Sequence, residues 1–521
     1  MPSFVSPRQT RDAIAASARQ HLEHVVRIDS ASDEASSTIP STPGQAHLAD
    51  DLRGFFERWG ATTELDPHAN LIATLPGRGA GAGKAPVALM VHLDTARGTH
   101  AIDGLVVEPA WTGGPIPYDA NPTLVVDVDT YPSLARYVGH DVLHGPGDAP
   151  FGLDDKLGLT HLMTLAWLLA ENPDIPHPPL LLIGRPDEEI GRMEALLGVA
   201  ALLDERGVRS GYTIDGLDPF EINIENFNAR RGGVFFPATP LDLRGEFVRA
   251  QLGGVNTHGA TARAEGHRTA TRLAAEVVTA LAELGEHGVT PVDFVSNEER
   301  DCDAEITFHV ASPTARAALL DALANAVAPH RKRGASLSVE LFAHPNKVDG
   351  NVGAMLAFVG RFLRSAPGFT LAAEDSDGHD GYSQPYRAVP TEQGLRLDVR
   401  IRDFSPTGLE ARSEHLRKLA AEDGRAVEVV HQYVNMGPRL ADRPELVQRA
   451  TAAGAACGVP CPVQPIRGGT GVDPFLDRGI AIANLGTGYF APESEKELTS
   501  LQFMVDHALW LVQLVQVIAA E

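Results

Sequence analysis

The sequence predicts an α/β protein in which helices flank a mainly parallel central sheet and an α+β domain is inserted into the chain. In the first half, short apolar runs alternate with segments that have helical spacing of apolar residues. Between residues 246 and 434 this pattern changes. With 521 residues, the chain is also too long for one hydrophobic core. We therefore expect a main domain of residues 1–245 and 435–521, and an inserted domain of residues 246–434.

The main domain contains the elements that define its fold class. Apolar runs at residues 87–91 and 179–184 predict two buried strands, and residues 157–169 between them predict a helix. Alternation of strands and helices is typical of a parallel sheet. Because ligands of such sheets bind beyond the carboxyl ends of the strands, the residues that follow each apolar run are candidates for chemistry.

The inserted domain contains an internal similarity. Residues 304–314 and 395–407 each have the pattern of a strand that ends in Ser-Pro-Thr, and each is followed by a predicted helix. Serine before a proline at the first helical position is a favourable N-terminal cap. We predict two similar units, residues 246–343 and 344–434, with His258 and His344 ahead of their first helices. Chance similarity of two strand–helix units is the alternative.

Composition argues against several kinds of partner. Lysine and arginine number 44 against 68 acidic residues, so the net charge is −24, which disfavours nucleic acid and anionic membranes. Three cysteines are too few for a disulfide framework. The chain begins without a secretory signal pattern, and the apolar residues 508–520 are few for a membrane span. We expect a cytoplasmic protein whose last helix packs on its body.

Histidine and acidic residues stand at the ends of apolar runs, or at the start of a helix, at four places in the main domain. Taken singly, each place has a simpler interpretation: a helix cap, a solvated acidic turn or an ordinary turn. These interpretations weaken when four such places occur in one α/β domain. In chain order the residues are His92, Asp94, Asp154, Glu188, Glu189 and Asp215.

This set of residues matches the needs of a hydrolase with two metal ions. Such a site needs imidazole and carboxylate ligands, a carboxylate that bridges the ions, and a further carboxylate that accepts a proton from water. The adjacent Glu188 and Glu189 supply two of these roles at once, because one can bind metal while its neighbour acts as the base.

The order of the motifs resembles the family of co-catalytic zinc exopeptidases that includes peptidase T, carboxypeptidase G and succinyl-diaminopimelate desuccinylase. Tripeptide aminopeptidases of the peptidase T type are the most similar members. The matching stretches follow the family's order over almost the whole chain. They are residues 92–95, 152–158, 186–191, 212–216, 224–229, 401–404 and 465–470.

Carried over position by position, the resemblance implies a two-metal centre. Asp154 would bridge both ions, Glu188 would be the general base, and Asp94 would orient His92. The remaining ligands would be His92 and Asp215 on one ion and Glu189 and Glu493 on the other. We expect two divalent ions, with zinc as the first choice and manganese or cobalt as alternatives.

Two positions depart from the family pattern. Glu493 stands where the family has a histidine followed by Ser-x-x-Glu. An additional carboxylate would weaken the metals as Lewis acids and favour a harder cation such as Mn²⁺; loss of the second metal is the alternative. Gly471 stands where peptidase T has an aspartate, and Asp473 follows two residues later.

The inserted domain corresponds in the family to a lid. In dimeric members a lid histidine reaches the partner's active site and stabilises the oxyanion, whereas a monomeric dipeptidase carries two lid units in one chain. The resemblance therefore implies that His258, or His344, is the oxyanion donor and that the protein is monomeric. Arg402 and Arg467 would hold the substrate's carboxylate; an ion pair with Asp403 or a neighbour is the alternative for Arg402.

The expected function is metal-dependent hydrolysis of an amide bond in small peptides, by a di- or tripeptidase that acts from the N-terminus. An amidase or deacylase acting on N-acyl amino acids or other non-peptide amides is the first alternative. A binding protein with the same fold and impaired catalysis is the second. In each case the expected partner is a small peptide or an acyl-amino acid.

Overall fold

The computed structural model describes residues 4–259, 261–365 and 378–521, which form two compact units. The first unit comprises residues up to 121, 127–226 and 435–521, and the second comprises residues 122–126 and 227–434. The second unit begins before the predicted boundary at residue 246. The reason is that a strand of residues 228–237 pairs inside a sheet of the second unit.

The first unit is built on a seven-stranded sheet and a three-stranded one. Its helices are α1 (Arg11–Val25), α2 (Pro43–Arg58), α3 (Leu153–Glu171), α4 (Leu197–Glu205), α10 (Gly437–Leu440), α11 (Glu445–Cys457), α12 (Asp473–Leu476) and α13 (Leu501–Ala520), numbered along the whole chain. Its strands are β1 (Thr62–Leu65), β2 (Leu71–Leu75), β3 (Val87–His92), β4 (Val106–Glu108), β5 (Val142–His144), β6 (Leu180–Arg185), β7 (Ser210–Gly216), β8 (Ile222–Asn223), β17 (Ala481–Gly486) and β18 (Leu498–Ser500). Short 3₁₀ turns lie at Gly79–Gly81, Pro132–Tyr137 and Met193–Leu196.

The central sheet has the order β1-β2-β6-β3-β7-β17-β8. Its inner strands β6, β3, β7 and β17 are parallel, and each of the outer strands β1, β2 and β8 pairs with its inner neighbour in an antiparallel manner. Every residue of β3, β6 and β7 is buried, as expected for parallel strands covered by helices on both faces. The predicted α/β class with a mainly parallel sheet is confirmed, and β3, β6 and β7 end at the same edge.

The last helix, α13, belongs to the core of the first unit. It is the one helix in the described ranges that is long and apolar enough to cross a membrane, and 72% of its most apolar window is buried inside the protein. Trp510 on α13 is fully buried, and its indole N–H donates to the carbonyl of Ala450 on α11 at 2.9 Å. The prediction that this helix packs against the rest of the protein is thus confirmed.

The second unit contains two four-stranded antiparallel sheets, in the orders β11-β12-β10-β13 and β14-β15-β9-β16. Its strands are β9 (Asn228–Pro237), β10 (Glu246–Gly253), β11 (Val289–Ser296), β12 (Ala304–Val310), β13 (Ser336–Leu341), β14 (Tyr382–Thr391), β15 (Gly394–Asp403) and β16 (Val427–Tyr433). Its helices are α5 (Ala262–Glu265), α6 (Ala270–Glu283), α7 (Pro313–Val327), α8 (Asn351–Arg364) and α9 (Pro406–Glu422), with a 3₁₀ turn at Ala328–Arg333.

Both sheets of this unit have the same topology. The series β10-α6-β11-β12-α7-β13 corresponds element by element to β9-α8-β14-β15-α9-β16. Ser312 and Ser405 cap α7 and α9 as expected, since each hydroxyl accepts the backbone N–H three residues later. The first series is inserted in the chain between β9 and α8 of the second series. The predicted boundary at residue 344 leaves β9 out of the second predicted unit. The origin of the two series by duplication stays a prediction.

Candidate active site

His92, Asp154 and Asp215 form a buried cluster where β3 and β7 end. The Nε2 atom of His92 lies 3.0 Å from Oδ1 of Asp154 and 3.5 Å from Oδ1 of Asp215. One ligand atom of each residue lies within 4.8 Å of the others, so the three could hold a metal ion. Burial lowers the pKa of His92, but Asp215 and Asp154 outweigh it and raise that pKa well above its usual range. The cluster therefore attracts a cation.

Asp94 contacts both His92 and the turn that follows β6. The backbone carbonyl of Asp94 accepts the Nδ1–H of His92 at 2.8 Å, so Nε2 is the nitrogen that faces the carboxylates. The Asp94 carboxylate lies farther away, 3.6 Å from Nδ1. It accepts the backbone N–H groups of Glu188 at 2.9 Å and Glu189 at 3.1 Å. Asp94 thus orients the imidazole through its main chain and the two glutamates through its side chain.

The two aspartates at the start of α3 point in different directions. Asp154 faces His92, and burial followed by the charge of Asp215 raises the pKa of Asp154 well above its usual range. Asp155 is fully buried, and its carboxylate accepts the N–H groups of His92 at 3.2 Å and of Gly158 at 3.1 Å. The helix-cap interpretation therefore describes Asp155, while Asp154 belongs to the cluster.

Glu188 and Glu189 follow β6 on a tight turn. Oε1 of Glu188 lies 3.6 Å from the guanidinium of Arg185, a buried cation that is not among the residues predicted from the sequence. Burial raises the pKa of Glu188, and Arg185 opposes that rise. Burial, then Glu493 and Asp154, raise the pKa of Glu189 well above its usual range. Among the described residues, the buried Oε1 atom of Glu189 has no hydrogen-bond partner, so it is available for a cation.

Glu493 lies on the segment between β17 and β18, with a left-handed φ of 56°. Its N–H donates to Oε1 of Glu497 at 2.9 Å. Oε2 of Glu497 accepts the N–H groups of Phe151 at 2.8 Å and Gly152 at 2.9 Å, ahead of Asp154. Glu497 therefore joins the Glu493 segment to the loop that carries Asp154. The resemblance assigns no role to Glu497, although this residue ends the Ser-x-x-Glu stretch that follows position 493.

The predicted substrate-binding residues lie in different units. Arg467 is half-buried in the first unit, on the segment between α11 and α12. Arg402 lies on β15 of the second unit and donates to the carbonyls of Arg230 at 3.0 Å and Ile401 at 3.1 Å. Asp403 instead pairs with Arg412 at 2.9 Å. The specific alternative of an Arg402–Asp403 ion pair is not observed, and substrate binding by either arginine stays a prediction.

The two candidate lid histidines belong to the second unit. The carbonyl of His258 accepts the N–H of Thr261 at 3.2 Å in the segment between β10 and α5. His344 is exposed, and its carbonyl accepts the guanidinium of Arg249 at 2.7 Å. Their predicted part in oxyanion stabilisation stays a prediction.

Comparison with known proteins gives a consistent result. No protein-family model matches the chain. Peptidase T of Vibrio parahaemolyticus is 25% identical over 509 residues, which cover 95% of this chain and 96% of that relative. Peptidase T of Bacillus cereus strain B4264 is 26% identical over 481 residues, or 90% of each chain.

Two solved structures share the fold. The aminopeptidase PepT of Bacillus cereus matches with a TM-score of 0.51 and 16% identity, over 97% of this chain and 99% of that one. A tripeptidase of Staphylococcus aureus matches with a TM-score of 0.52 and 14% identity, over 97% and 99% of the two chains.

A histidine and several carboxylates at the carboxyl edge of a parallel sheet, with an unsatisfied glutamate oxygen beside them, are the site of a metal-dependent hydrolase. The two curated relatives align with at least 90% of this chain. The chain is a metallopeptidase that is similar to these two peptidase T relatives over at least 90% of its length.

Proposed function

We propose that this protein hydrolyses di- or tripeptides from their N-terminus in a metal-dependent reaction. The observation that carries the proposal is the cluster of His92, Asp154 and Asp215 beside the paired Glu188 and Glu189. The peptidase T relatives favour peptides over N-acyl amino acids, and a cluster with its acidic residues in place does not favour a binding protein that has lost catalysis.

The donor atoms of the cluster fit divalent cations. His92 and Asp215 would hold one ion, Glu189 and Glu493 the other, and Asp154 would bridge them. The unsatisfied Oε1 of Glu189 supports this assignment. Burial and, after it, neighbouring carboxylates raise the pKa of Asp154 and of Glu189, which agrees with a cluster of carboxylates that a cation would stabilise. When bound, such ions polarise a carbonyl and lower the pKa of water. Zinc is the expected metal, and the carboxylate of Glu493 makes manganese or cobalt the alternative.

Glu188 would transfer the protons. Its carboxylate would accept a proton from the attacking water and donate it to the leaving amine, as a general base and then a general acid. The hydrogen bond from its N–H to Asp94 and the nearby guanidinium of Arg185 restrict its position. Arg467 and Arg402 would bind the substrate's carboxylate, and His258 would donate to the oxyanion; a monomeric state goes with the last assignment.

A substrate panel tests this function. The metal-free protein is loaded with Zn²⁺, Mn²⁺ or Co²⁺ and assayed for release of free amino acids from tripeptides, dipeptides and N-acetyl amino acids. We expect release from the peptides and little from the N-acetyl compounds. The Glu188→Gln variant should lower turnover by about 10²–10⁴-fold. Preferred hydrolysis of the N-acetyl compounds would instead identify a deacylase, and no hydrolysis of any compound would contradict an enzymatic function.

A further inference from the structure

The turn that carries Glu188 and Glu189 has all three of its successive backbone N–H groups bound to side chains. The N–H of Asp187 donates to Oε1 of Gln45 at 3.0 Å. The N–H groups of Glu188 and Glu189 donate to the two carboxylate oxygens of Asp94. Because the peptide planes are fixed by these bonds, the directions in which the two glutamates leave the backbone are fixed as well.

Asp187 itself is held in an uncommon conformation. Its φ is +53°, in the left-handed region, and its side chain is fully buried. The carboxylate accepts the N–H of Ser41 at 2.9 Å, the hydroxyl of Ser41 at 2.5 Å and the Nε2–H of Gln45 at 2.8 Å. Glycine would adopt this φ at a lower energetic cost. The contacts of the aspartate side chain, rather than the turn, therefore explain why an aspartate occupies this position.

Gln45 contacts Asp187 at two points. On the first turn of α2, its amide accepts the backbone N–H of Asp187 through Oε1 and donates to the carboxylate of Asp187 through Nε2. The same Nε2 lies 3.0 Å from the hydroxyl of Ser41. Gln45 is fully buried, so these bonds do not compete with bulk water. A reciprocal contact of this kind fixes both the position and the rotation of the peptide at residue 187.

We propose that Gln45 and Asp187 are positioning residues, whose two-point contact sets the orientation of the general base Glu188 and the metal ligand Glu189. This inference rests on the proposed function, in which those two glutamates carry proton transfer and metal binding. It brings the start of α2, which holds none of the predicted site residues, into the catalytic machinery.

A double-mutant cycle tests the contact. Gln45→Glu places two carboxylates face to face and removes the donor to Asp187. Asp187→Asn removes the charge that Ser41 and Gln45 bind, and that lies 3.7 Å from the guanidinium of Arg192. The double variant restores complementarity, because the amide of residue 187 can donate to the carboxylate of residue 45, which still accepts the backbone N–H. We expect each single variant to lower kcat by about 10- to 100-fold with little change in KM, and the double variant to recover most of that loss.

Hydrogen–deuterium exchange of the metal-free protein gives a readout that does not depend on activity. The amides of residues 187–189 should exchange at least about tenfold faster in Gln45→Glu than in the wild type, and near the wild-type rate in the double variant. Ser41→Ala removes one of the donors to Asp187 and is a milder variant if Gln45→Glu does not fold. It should show a smaller acceleration at the same amides.

Gln516→Glu is a matched control. Gln516 is also a buried glutamine with a reciprocal contact, since its Oε1 accepts the N–H of Val5 at 2.8 Å and its Nε2 donates to the carbonyl of Val5 at 3.0 Å. This control should lose stability without faster exchange at residues 187–189. Unchanged exchange at these amides in Gln45→Glu, or a double variant no better than the single ones, would overturn the positioning role. A wild type that cleaves no peptide would contradict the proposed function, while the exchange result would still decide the contact.

Discussion

His161 and His507 make the stability of the first unit depend on pH. Their rings stack with centroids 4.7 Å apart and planes 11° from parallel, in a fully buried position. His507 is a neutral ring, because its Nδ1 donates to the carbonyl of Phe503 while its Nε2 accepts the N–H of Phe220. Burial, followed by the charge of His161, lowers the pKa of His507 well below its usual range. A proton on Nε2 of His507 would break the hydrogen bond from Phe220, and a proton on Nδ1 of His161, which has no partner among the described residues, would bury an unpaired charge.

The size of the effect follows from the pKa of His161, which burial lowers from its usual 6.5 to about 4. The folded state therefore stays neutral where the unfolded chain binds a proton. The stability that this histidine contributes is present above pH 6.5 and is lost as the pH falls towards 4. At pH 5, linkage gives a loss of about 2 kcal/mol from His161 alone, and His507 adds to it.

Urea denaturation of the metal-free protein between pH 8 and pH 5 measures this loss. His161→Gln keeps an N–H donor for the carbonyl of Thr487, which His161 Nε2 contacts at 2.9 Å, and removes the titrating ring. This variant should lose about 2 kcal/mol less than the wild type over that pH interval. His100→Gln, at an exposed ring, is the control and should follow the wild type. The same pH dependence in His161→Gln and in the wild type would refute this reasoning.

Three further changes have distinct expected results. Gly471→Ala should lower the free energy of unfolding by about 1–2 kcal/mol in urea denaturation, because φ is 57° at this position. It should also lower kcat in steady-state kinetics, since the new Cβ would lie 2.1 Å from a guanidinium nitrogen of Arg185. Glu493→His removes a carboxylate from the proposed second metal position, so the ratio of activity with Zn²⁺ to activity with Mn²⁺ should rise in a metal-reconstitution assay. Glu205→Gln, at an exposed position, should change stability by less than about 0.5 kcal/mol in the same denaturation assay and leave the metal ratio as it is.

The sequence predicts the parts of the site that have a local pattern. His92, Glu188 and Asp215 each stand at or just after the end of a fully buried strand, and buried strands produce apolar runs that are visible in a single sequence. Parallel strands end at one edge of their sheet, so residues far apart in the chain converge there. The central sheet and the cluster at its edge therefore follow from the sequence.

Contacts between distant segments are not visible in the same way. Gln45 lies 142 residues before Asp187, and no periodicity links a glutamine in a helix to a turn after a strand. The observed start of the second unit differs from the predicted residue 246 for the same reason. The strand β9 pairs with β15 and β16, but a whole series of other elements separates it from them along the chain. Arg185 was missed because it occupies the last position of a strand otherwise made of apolar residues and glycine.

Glu493 illustrates how a motif locates a position without defining its chemistry. The surrounding Ser-x-x-Glu places it beside the cluster, and the structure shows Glu497 holding its backbone. Its carboxylate also raises the pKa of Glu189 through like charge, after burial. A histidine at this position would have no such effect when neutral, so the replacement changes the charge of the proposed second metal position by one unit.

The central claim is that Glu188 transfers protons while Glu189 binds metal. Turnover of one tripeptide and the metal content per chain, measured together on Glu188→Gln and Glu189→Gln, test it most directly. Glu188→Gln should bind two metal ions per chain like the wild type and lose about 10²–10⁴-fold in kcat. Glu189→Gln should lose one of the two ions. A Glu188→Gln variant that keeps wild-type turnover, or a Glu189→Gln variant that keeps both ions, would contradict the assignment.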